Sequence, residues 1–548
     1  MQSTMMDLPL STQMIFRHGA RLHGASAVRS FDGERFESML FEDVARRAES
    51  LANALAALGV ARGERVATFC WNHRQHLEAY LAVPAMGAVL HTLNIRLFPE
   101  QVARIMAHAD DRVLIADVSL LPQLAPFLGQ VPGLRHVIVV GEGAVELPLS
   151  VGVSDYEALL AANAGAFAWP ELQERDAAVV CYTTGTTGDP KGIVYSHRSI
   201  FLHTLATLGR DTFGIGQDDR ILLLPSMFHA NAWGLPFSAW FSGADLLMPG
   251  PNLKATYIRA MVRQGRPTIT ALVPTLVNDL LQADLDDPVD MSSFRAIIAG
   301  GSPVSPALIS RVRERWGVPM LQGWGMTETS PMCCVSIPPR DTAPEDEPVW
   351  RAKSGRPVPG MQVRLVDEQG APAAEDGHTV GELQLRGPWV TGGYHKGAST
   401  DAFTDDGWLR TGDVGTIDTR GYVQVTDRSK DVIKSGGEWV SSVDLENQVS
   451  SHPAVFEAAV IGVPDPRWEE RPLVLVVLRP GQQGTAAELR AFLEGRVARF
   501  WLPEYFAFPQ ELPKTSVGKI DKKEARRLHA AGVYTVEKLG ARAASKAE

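Results

Sequence analysis

Cysteine is scarce: Cys70, Cys181, Cys333 and Cys334 are the four in a chain of 548 residues. Four cysteines cannot staple a chain this long, and none falls in a C-x-x-C or similar metal-ligand spacing. They read as small core residues in a reducing compartment, so a cytoplasmic protein is expected. Long apolar runs are missing too. No stretch reaches the about 18 residues that suggest a bilayer span, and Met1 to Met14 lack a basic segment followed by an apolar one. Neither a membrane span nor a secretory leader is expected, while peripheral contact with a membrane surface stays open. Positive charge is in deficit, with Lys+Arg 53 against Asp+Glu 63 and a net charge of −10. That argues against nucleic acid as a partner and leaves room for a local basic pocket. No G-x-x-x-x-G-K-[ST], G-x-G-x-x-G or G-x-S-x-G occurs. Walker-type phosphate loops, nicotinamide dehydrogenases and serine-hydrolase elbows are thereby disfavoured. Ser196 and His197 are adjacent and read as structural or loop groups.

What remains is an ordinary globular composition, 45% hydrophobic and 21% charged, which excludes a disordered chain or a coiled coil. The length suggests about three to five structural units. Phe41, Val44, Ala48, Leu51, Leu55 and Leu58 recur at helical spacing, and Gly59 stands where a C-cap belongs. Val66–Cys70, Val113–Ala116, Val137–Val140 and Ala296–Ala299 read as buried strands. Leu77–Val89 reads as a helix interrupted at Pro84. Such alternation predicts an α/β fold with largely parallel sheets. After about residue 340 the chain becomes turn-rich around short strands, Val363–Val366 and Gly381–Leu385, which predicts an antiparallel subdomain. A charged segment, Asp427–Asp431, precedes a small α+β unit. In that unit Ala458–Val463 and Leu473–Leu478 read as strands, and Thr485 with Glu488 has capping-box spacing before a helix over Leu489–Phe500. Ala541–Glu548 reads as a frayed tail.

The sharpest chemical signal is the run Tyr182-Thr183-Thr184-Gly185-Thr186-Thr187-Gly188-Asp189-Pro190-Lys191-Gly192, which follows the strand-like Ala177–Cys181. Glycines allow close backbone approach, N–H and hydroxyl groups donate to phosphate oxygens, and Lys191 adds a point charge. The run suits a polyanion.

This segment resembles the phosphate-binding loop of the ANL adenylating superfamily: AMP-forming acyl-CoA synthetases, peptide-synthetase adenylation domains and beetle luciferases. Four more segments follow in that superfamily's order. Gln322-Gly323-Trp324-Gly325-Met326-Thr327-Glu328 resembles its aromatic-Gly-x-Thr-Glu motif, and Thr411-Gly412-Asp413 its ribose-binding motif. Asp427-Arg428-Ser429-Lys430-Asp431, running on to Lys434 and Gly436-Gly437-Glu438-Trp439, resembles its hinge. Pro513-Lys514-Thr515-Ser516-Val517-Gly518-Lys519 resembles its catalytic-lysine motif. The resemblance covers nearly the whole chain. It implies a large N-terminal adenylation domain over 1–426, a hinge over 427–431 pivoting at Lys430, and a small mobile C-terminal domain over 432–548.

The resemblance also implies roles. Thr183, Thr184, Gly185, Thr186, Thr187, Gly188 and Lys191 would bind ATP phosphates, and Glu328 with Thr184 would hold Mg²⁺. Gly300, Gly301, Gln322, Gly323 and Trp324 would receive adenine and the acyl group, and Asp413, which reads as lying between two strand-like runs, the ribose hydroxyls. Arg428, Lys434 and Trp439 would contact the nucleotide, and Thr327 would assist catalysis. Lys519 would bridge the oxygens that gain charge during adenylation, where a compact cation favours the transition state over the ground state. Pro225 to Gly234 resembles the corresponding stretch of bacterial medium- and long-chain fatty acyl-CoA synthetases, in which His229 lies near the acid and Trp233 gates an acyl tunnel. Gly436 and Gly437 would approach the pantetheine of CoA.

The implied reaction joins a fatty acid to CoA through acyl-AMP, with ATP and CoA as co-substrates and AMP and pyrophosphate as products. Three alternatives stay open: a ligase loading a carrier protein, a CoA ligase for a short thioether acid such as methylthiopropionate, and a catalytically silent binder. A homodimer is compatible with the resemblance.

Overall fold

A computed structural model describes residues 1, 3–143, 147, 151–183, 191–397, 400–428, 431–435, 438–515 and 519–539 of the chain. Two large sheets dominate its first two thirds. The seven-stranded sheet runs in the spatial order Gly152–Asp155, His136–Val140, Asp111–Asp117, Arg65–Phe69, Val89–Thr92, Ala177–Thr183, Lys191–Ser196. Every neighbouring pair in it is parallel except the last, which closes as an antiparallel pair around the Thr/Gly-rich run. The nine-stranded sheet is parallel through Ala27–Phe31, Asp245–Met248, Arg220–Leu222, Ile269–Leu272, Ala296–Gly300 and Met320–Gly325, and antiparallel at both edges.

Parallel strands buried on both faces read as continuous apolar runs, which explains why Val113–Ala116 and Ala296–Ala299 could be recognised from sequence. Helices Thr12–Leu22, Phe41–Ala57 and Arg74–Ala85 contribute to a core shared by the two sheets, in which Phe41, Leu51, Leu77, Tyr80 and Trp240 are fully buried. Trp240 stacks on Phe41 at 4.3 Å and donates its indole N–H to the Phe16 carbonyl at 3.0 Å. The wide ring is thereby buried with its polar atom satisfied.

The turn-rich region forms an antiparallel four-stranded sheet, Gln362–Val366, Gly381–Arg386, Leu409–Ile417 and Val423–Arg428. The C-terminal unit is a mixed sheet centred on Glu469–Leu478, which pairs antiparallel with Val455–Asp465 and parallel with Tyr505–Ala507. Its two faces bury separate cores, one around Val460 and Phe506, the other around Ile461 and Leu473. The protein is therefore α/β, with large sheets of mainly parallel strands first and a smaller mixed-sheet unit last.

Three local expectations need correction. The helix expected over Leu77–Val89 spans Arg74–Ala85, with His73 as its N-cap. Gly87 at φ +89° turns the chain, and Val89 opens a central strand of the seven-stranded sheet. The helix expected over Leu489–Phe500 spans Ala486–Leu493, because Gly495 at φ +76° follows it and leads the chain into a short turn; the Thr485–Glu488 capping box is present. Asp413, expected between two strands, lies inside the single strand Leu409–Ile417. Ala541–Glu548 lie outside the described residues.

Candidate active site

Lys519 crosses from the C-terminal unit to the C-terminal end of an interior strand of the nine-stranded sheet. Strand Ala296–Gly300 ends at Gly301, whose φ of +83° is left-handed. A Cβ placed on Gly301 would lie 2.9 Å from Lys519 Cε and 3.5 Å from its Nζ. The left-handed backbone calls for glycine here, and a side chain in its place would also push the lysine stem aside. Burial holds the Lys519 ammonium down to about 8, reinforced by the positive charge of Arg428 and opposed by the carboxylate of Asp413.

Asp413 joins two other expected residues, Trp324 and Arg428. It is 3% exposed, its Oδ2 accepts from Trp324 Nε1 at 2.9 Å, and its Oδ1 is 2.7 Å from Arg428 Nε. Arg428 also donates to the Thr411 carbonyl at 3.1 Å. Burial pushes the Asp413 carboxyl upward from its ordinary range, while Arg428 and the Trp324 N–H pull it back. The local geometry follows from sequence: Gly412 at φ +67° precedes Asp413, and the ladder shifts register just after it.

The neighbouring glycine faces an aromatic ring. A Cβ on Gly300 would lie 2.9 Å from Trp233 Cη2 and 3.1 Å from the Gly323 carbonyl oxygen. Trp233 is carried by an unusual turn: Ala230, Asn231, Ala232, Trp233 and Gly234 all have φ between +43° and +77°. Four consecutive non-glycine residues in the left-handed region are costly, and such strain persists only where the surroundings hold it. The surroundings do so on both sides. Upstream, the buried Asn72 amide donates to the Leu223 and Pro225 carbonyls and its oxygen accepts from Met227 N. Downstream, Ser238 Oγ donates to the Gly234 carbonyl at 2.9 Å. Burial, with the cations Lys519 and Arg96, lowers the imidazolium of His229 to about 3, so this ring is neutral at physiological pH.

The remaining expected residues divide clearly. Thr183 stands opposite Lys191 at the mouth of the antiparallel pair. Thr327 is buried in the turn after strand Met320–Gly325, and its carbonyl accepts from Tyr195 OH at 2.7 Å. Glu328, in the same turn, is 7% exposed and accepts from the Tyr394 phenol at 2.9 Å. Gln322, expected to meet the nucleotide, has its side-chain oxygen on the Val304 N–H at 3.0 Å, where it braces the turn after Gly301. Thr184, Gly185, Thr186, Thr187, Gly188, Lys430, Gly436 and Gly437 lie outside the described residues, as do the side chains of Lys434 and Trp439. The backbones of Lys434 and Trp439 pair in the hairpin of Ile433–Ser435 with Glu438–Val440. Ser196 and His197 are structural: Ser196 caps helix His197–Leu208, and buried His197 meets Thr12 at 2.9 Å.

Tyr394, Asn72 and Arg96 were not legible as site residues. They come from segments with no motif of their own and reach the cleft only through tertiary contact. The cleft gathers a half-buried cation, a buried carboxylate without a lysine, arginine or histidine at ion-pairing distance among the described residues (Glu328), and a neutral imidazole. Such a set can bind a phosphorylated nucleotide beside an acid and stabilise charge moving between them.

The chain is similar to known proteins over nearly its whole length. The AMP-binding enzyme family matches residues 15–395 and the AMP-binding enzyme C-terminal domain matches residues 444–519. A long-chain-fatty-acid–CoA ligase from Thermus thermophilus is 43% identical over 96% of both chains. A 3-methylmercaptopropionyl-CoA ligase from Ruegeria pomeroyi is 38% identical over 96% of this chain and 98% of that one. Among solved structures, the anthranilate CoA ligase AuaEII in complex with anthranoyl-AMP superposes with a TM-score of 0.88 at 27% identity, covering 97% of this chain and all of that one. On this evidence of sequence, fold and cleft, the chain belongs to the AMP-binding enzyme family.

Proposed function

We propose that this adenylate-forming CoA ligase activates a medium- or long-chain fatty acid. In the first step a carboxylate oxygen attacks the α-phosphorus of ATP, the bond to the β-phosphate breaks, and acyl-AMP and pyrophosphate form. In the second step the CoA thiolate attacks the acyl carbonyl and AMP leaves. The observation that carries this reading is the meeting of Lys519 with Gly301, beside Asp413, Arg428 and neutral His229. Lys519 neutralises the oxygens that gain charge at the α-phosphate, Asp413 accepts from the ribose hydroxyls, and His229 orients the acid without adding charge. Thr327 and Trp324 border the nucleotide, and Trp233 borders the acyl chain.

Magnesium is assigned to Glu328, with Thr184 as a second oxygen donor. A buried carboxylate whose described partner is a neutral phenol fits a hard cation. When bound, the ion supplies charge neutralisation for the ATP phosphates. For the second step we assign domains over 1–426 and 432–548, turning about Lys430 so that Lys519 withdraws and Gly436–Gly437 approach CoA. No described helix is long and apolar enough to cross a membrane. The four cysteines are all free and buried, which supports a reducing, cytoplasmic setting. The homodimer is a matter for light scattering.

A short thioether acid is the second reading. It is favoured by the 38% identity to the Ruegeria ligase and by the Trp233 ring resting on Gly300. Pyrophosphate release measured over a panel of fatty acids and methylthiopropionate, with and without CoA, separates the readings. Highest turnover on fatty acids with CoA-dependent thioester formation supports the first. A preference for the thioether acid supports the second, and release without any CoA thioester overturns both.

A further inference from the structure

We propose that Tyr394 is a positioning residue of the phosphate site, keeping the carboxylate of Glu328 and the ammonium of Lys191 apart and aimed at the nucleotide. The proposal rests on the assignment of Glu328 to magnesium above.

The segment Thr391–Gly397 lies across the base of the phosphate-loop hairpin and grips it at several points. Its backbone starts the grip, with Thr391 N donating to the Glu328 carbonyl at 2.8 Å. Three residues on, the Tyr394 phenol donates to Glu328 Oε1 at 2.9 Å. The face of the same ring receives Lys191, whose Nζ lies 5.1 Å from the ring centroid. His395 packs over the next residue of that strand: a Cβ on Gly192 would lie 3.1 Å from His395 Cβ and 2.9 Å from Tyr182 Cζ. Lys396 completes the grip by donating to the His108 carbonyl at 2.6 Å, while His108 itself bonds the Tyr182 hydroxyl at 2.6 Å. The segment thus touches Lys191 and Gly192, where the second hairpin strand leaves the phosphate loop, together with Glu328, and it reaches Tyr182 of the first strand through His108.

The chemistry of one phenol suits this place. A neutral hydroxyl donating to one carboxylate oxygen fixes the group's orientation and leaves its full negative charge and its second oxygen for a cation. An arginine or lysine at the same point would cancel that charge. The ring face meanwhile offers the Lys191 ammonium a cation–π seat. Without that seat, the nearby Glu328 is the natural partner for Lys191, and an ion pair between them would withdraw both groups from the nucleotide. Tyr394 therefore serves the anion and the cation at once, with its hydroxyl and its face.

The two functions separate by substitution. Tyr394→Phe removes the hydroxyl and keeps the ring, whereas Tyr394→Leu removes both. Affinity for ATP is measured by calorimetry on the full-length protein without any acid, in the presence and absence of Mg²⁺. Tyr394→Phe is expected to weaken Mg·ATP binding by about tenfold, the scale of a hydrogen bond to a charged group, with metal-free ATP binding unchanged. Tyr394→Leu is expected to weaken metal-free ATP binding as well, because Lys191 loses its seat. Metal-free ATP binding retained by the Phe variant reports that the site is folded. Wild-type affinity with and without Mg²⁺ in Tyr394→Phe overturns the proposal, and so does equal loss in both conditions. Glu328→Gln separates the two layers. If it leaves the Mg²⁺ dependence of ATP binding intact, the metal assignment fails. If it abolishes that dependence while Tyr394→Phe does not change it, only the role of Tyr394 fails.

Discussion

Lys519 and Gly301 fit one another: the lysine stem occupies the space in which a side chain at 301 would start, 2.9 Å from where its Cβ would sit. Gly301→Ala is therefore expected to displace Lys519 and to strain a backbone at φ +83°. Acyl-AMP formation should fall by about tenfold or more, as expected when a charged group loses its aim. Lys519→Ala should abolish that step outright. Thioester formation from supplied acyl-AMP should be much less affected in both variants. Equal loss of the two half-reactions would remove Lys519 from its assigned role.

The depressed ammonium of Lys519 gives the first step a pH signature. With the group titrating at about 8 in the free protein, the charged form dominates at pH 7 and is lost as pH rises through that value. kcat/KM for acyl-AMP formation should accordingly decline above pH 8, since this parameter reports the free enzyme. Arg428 is one of the groups that hold Lys519 down, so Arg428→Gln should move the decline to higher pH. His229, neutral down to about 3, should contribute no limb between pH 5 and 9. A profile flat to pH 10, or one shifted downward by Arg428→Gln, would contradict the assignment.

On the acyl side, Gly300 and Trp233 form a second pair of floor and ring. Gly300→Ala is expected to push the indole by its new methyl, given the 2.9 Å approach to Cη2. Trp233→Ala should open the same space. Both changes should alter the dependence of kcat/KM on acid chain length more than the KM for ATP. Their directions differ, with the first narrowing the range of acids and the second broadening it. Each methylene is worth about 1 kcal/mol, so shifts of several-fold per carbon are measurable. An ATP-specific defect with an unchanged chain profile would place Trp233 elsewhere.

These pairs also mark where sequence reading stops. The strands and the helix Phe41–Ala57 were legible because their periodicity is local and their faces are buried. The Thr/Gly-rich run was legible because its chemistry is contiguous. Asp413 meeting Trp324 spans 89 residues, and Tyr394 meeting Glu328 spans 66. No periodicity signals such contacts, and the resemblance supplied only the first pair as separate residues. Gln322 shows a related limit: its side-chain oxygen also braces the Val304 backbone, a contact the motif did not announce. The left-handed turn Ala230–Gly234 was illegible for another reason. Its residues carry no preference for positive φ, and the conformation is imposed from outside by Asn72 and Ser238.

Lys430 is the place to test the two-orientation reaction. The chain is anchored close to it on both sides: Arg428 to Asp413 before it, and Asp431 after it to Arg526 at 2.6 Å. Asp427 further accepts from the Ser442 backbone N–H at 2.8 Å, a bond between the last strand of the four-stranded sheet and the first helix of the C-terminal unit. Rotation of that unit requires a large φ/ψ change at a few residues between these anchors. Proline fixes φ near −65° and restricts the residue before it. Lys430→Pro is therefore expected to retain acyl-AMP and pyrophosphate formation, provided the first orientation accepts that φ, while thioester formation falls by a much larger factor. Lys430→Ala removes the same charge and keeps the backbone free, so it should affect the two half-reactions about equally. Both half-reactions measured in both variants decide the matter. If the proline variant matches the alanine variant in each, the pivot lies elsewhere in the segment, and rotation at this residue is no part of the reaction.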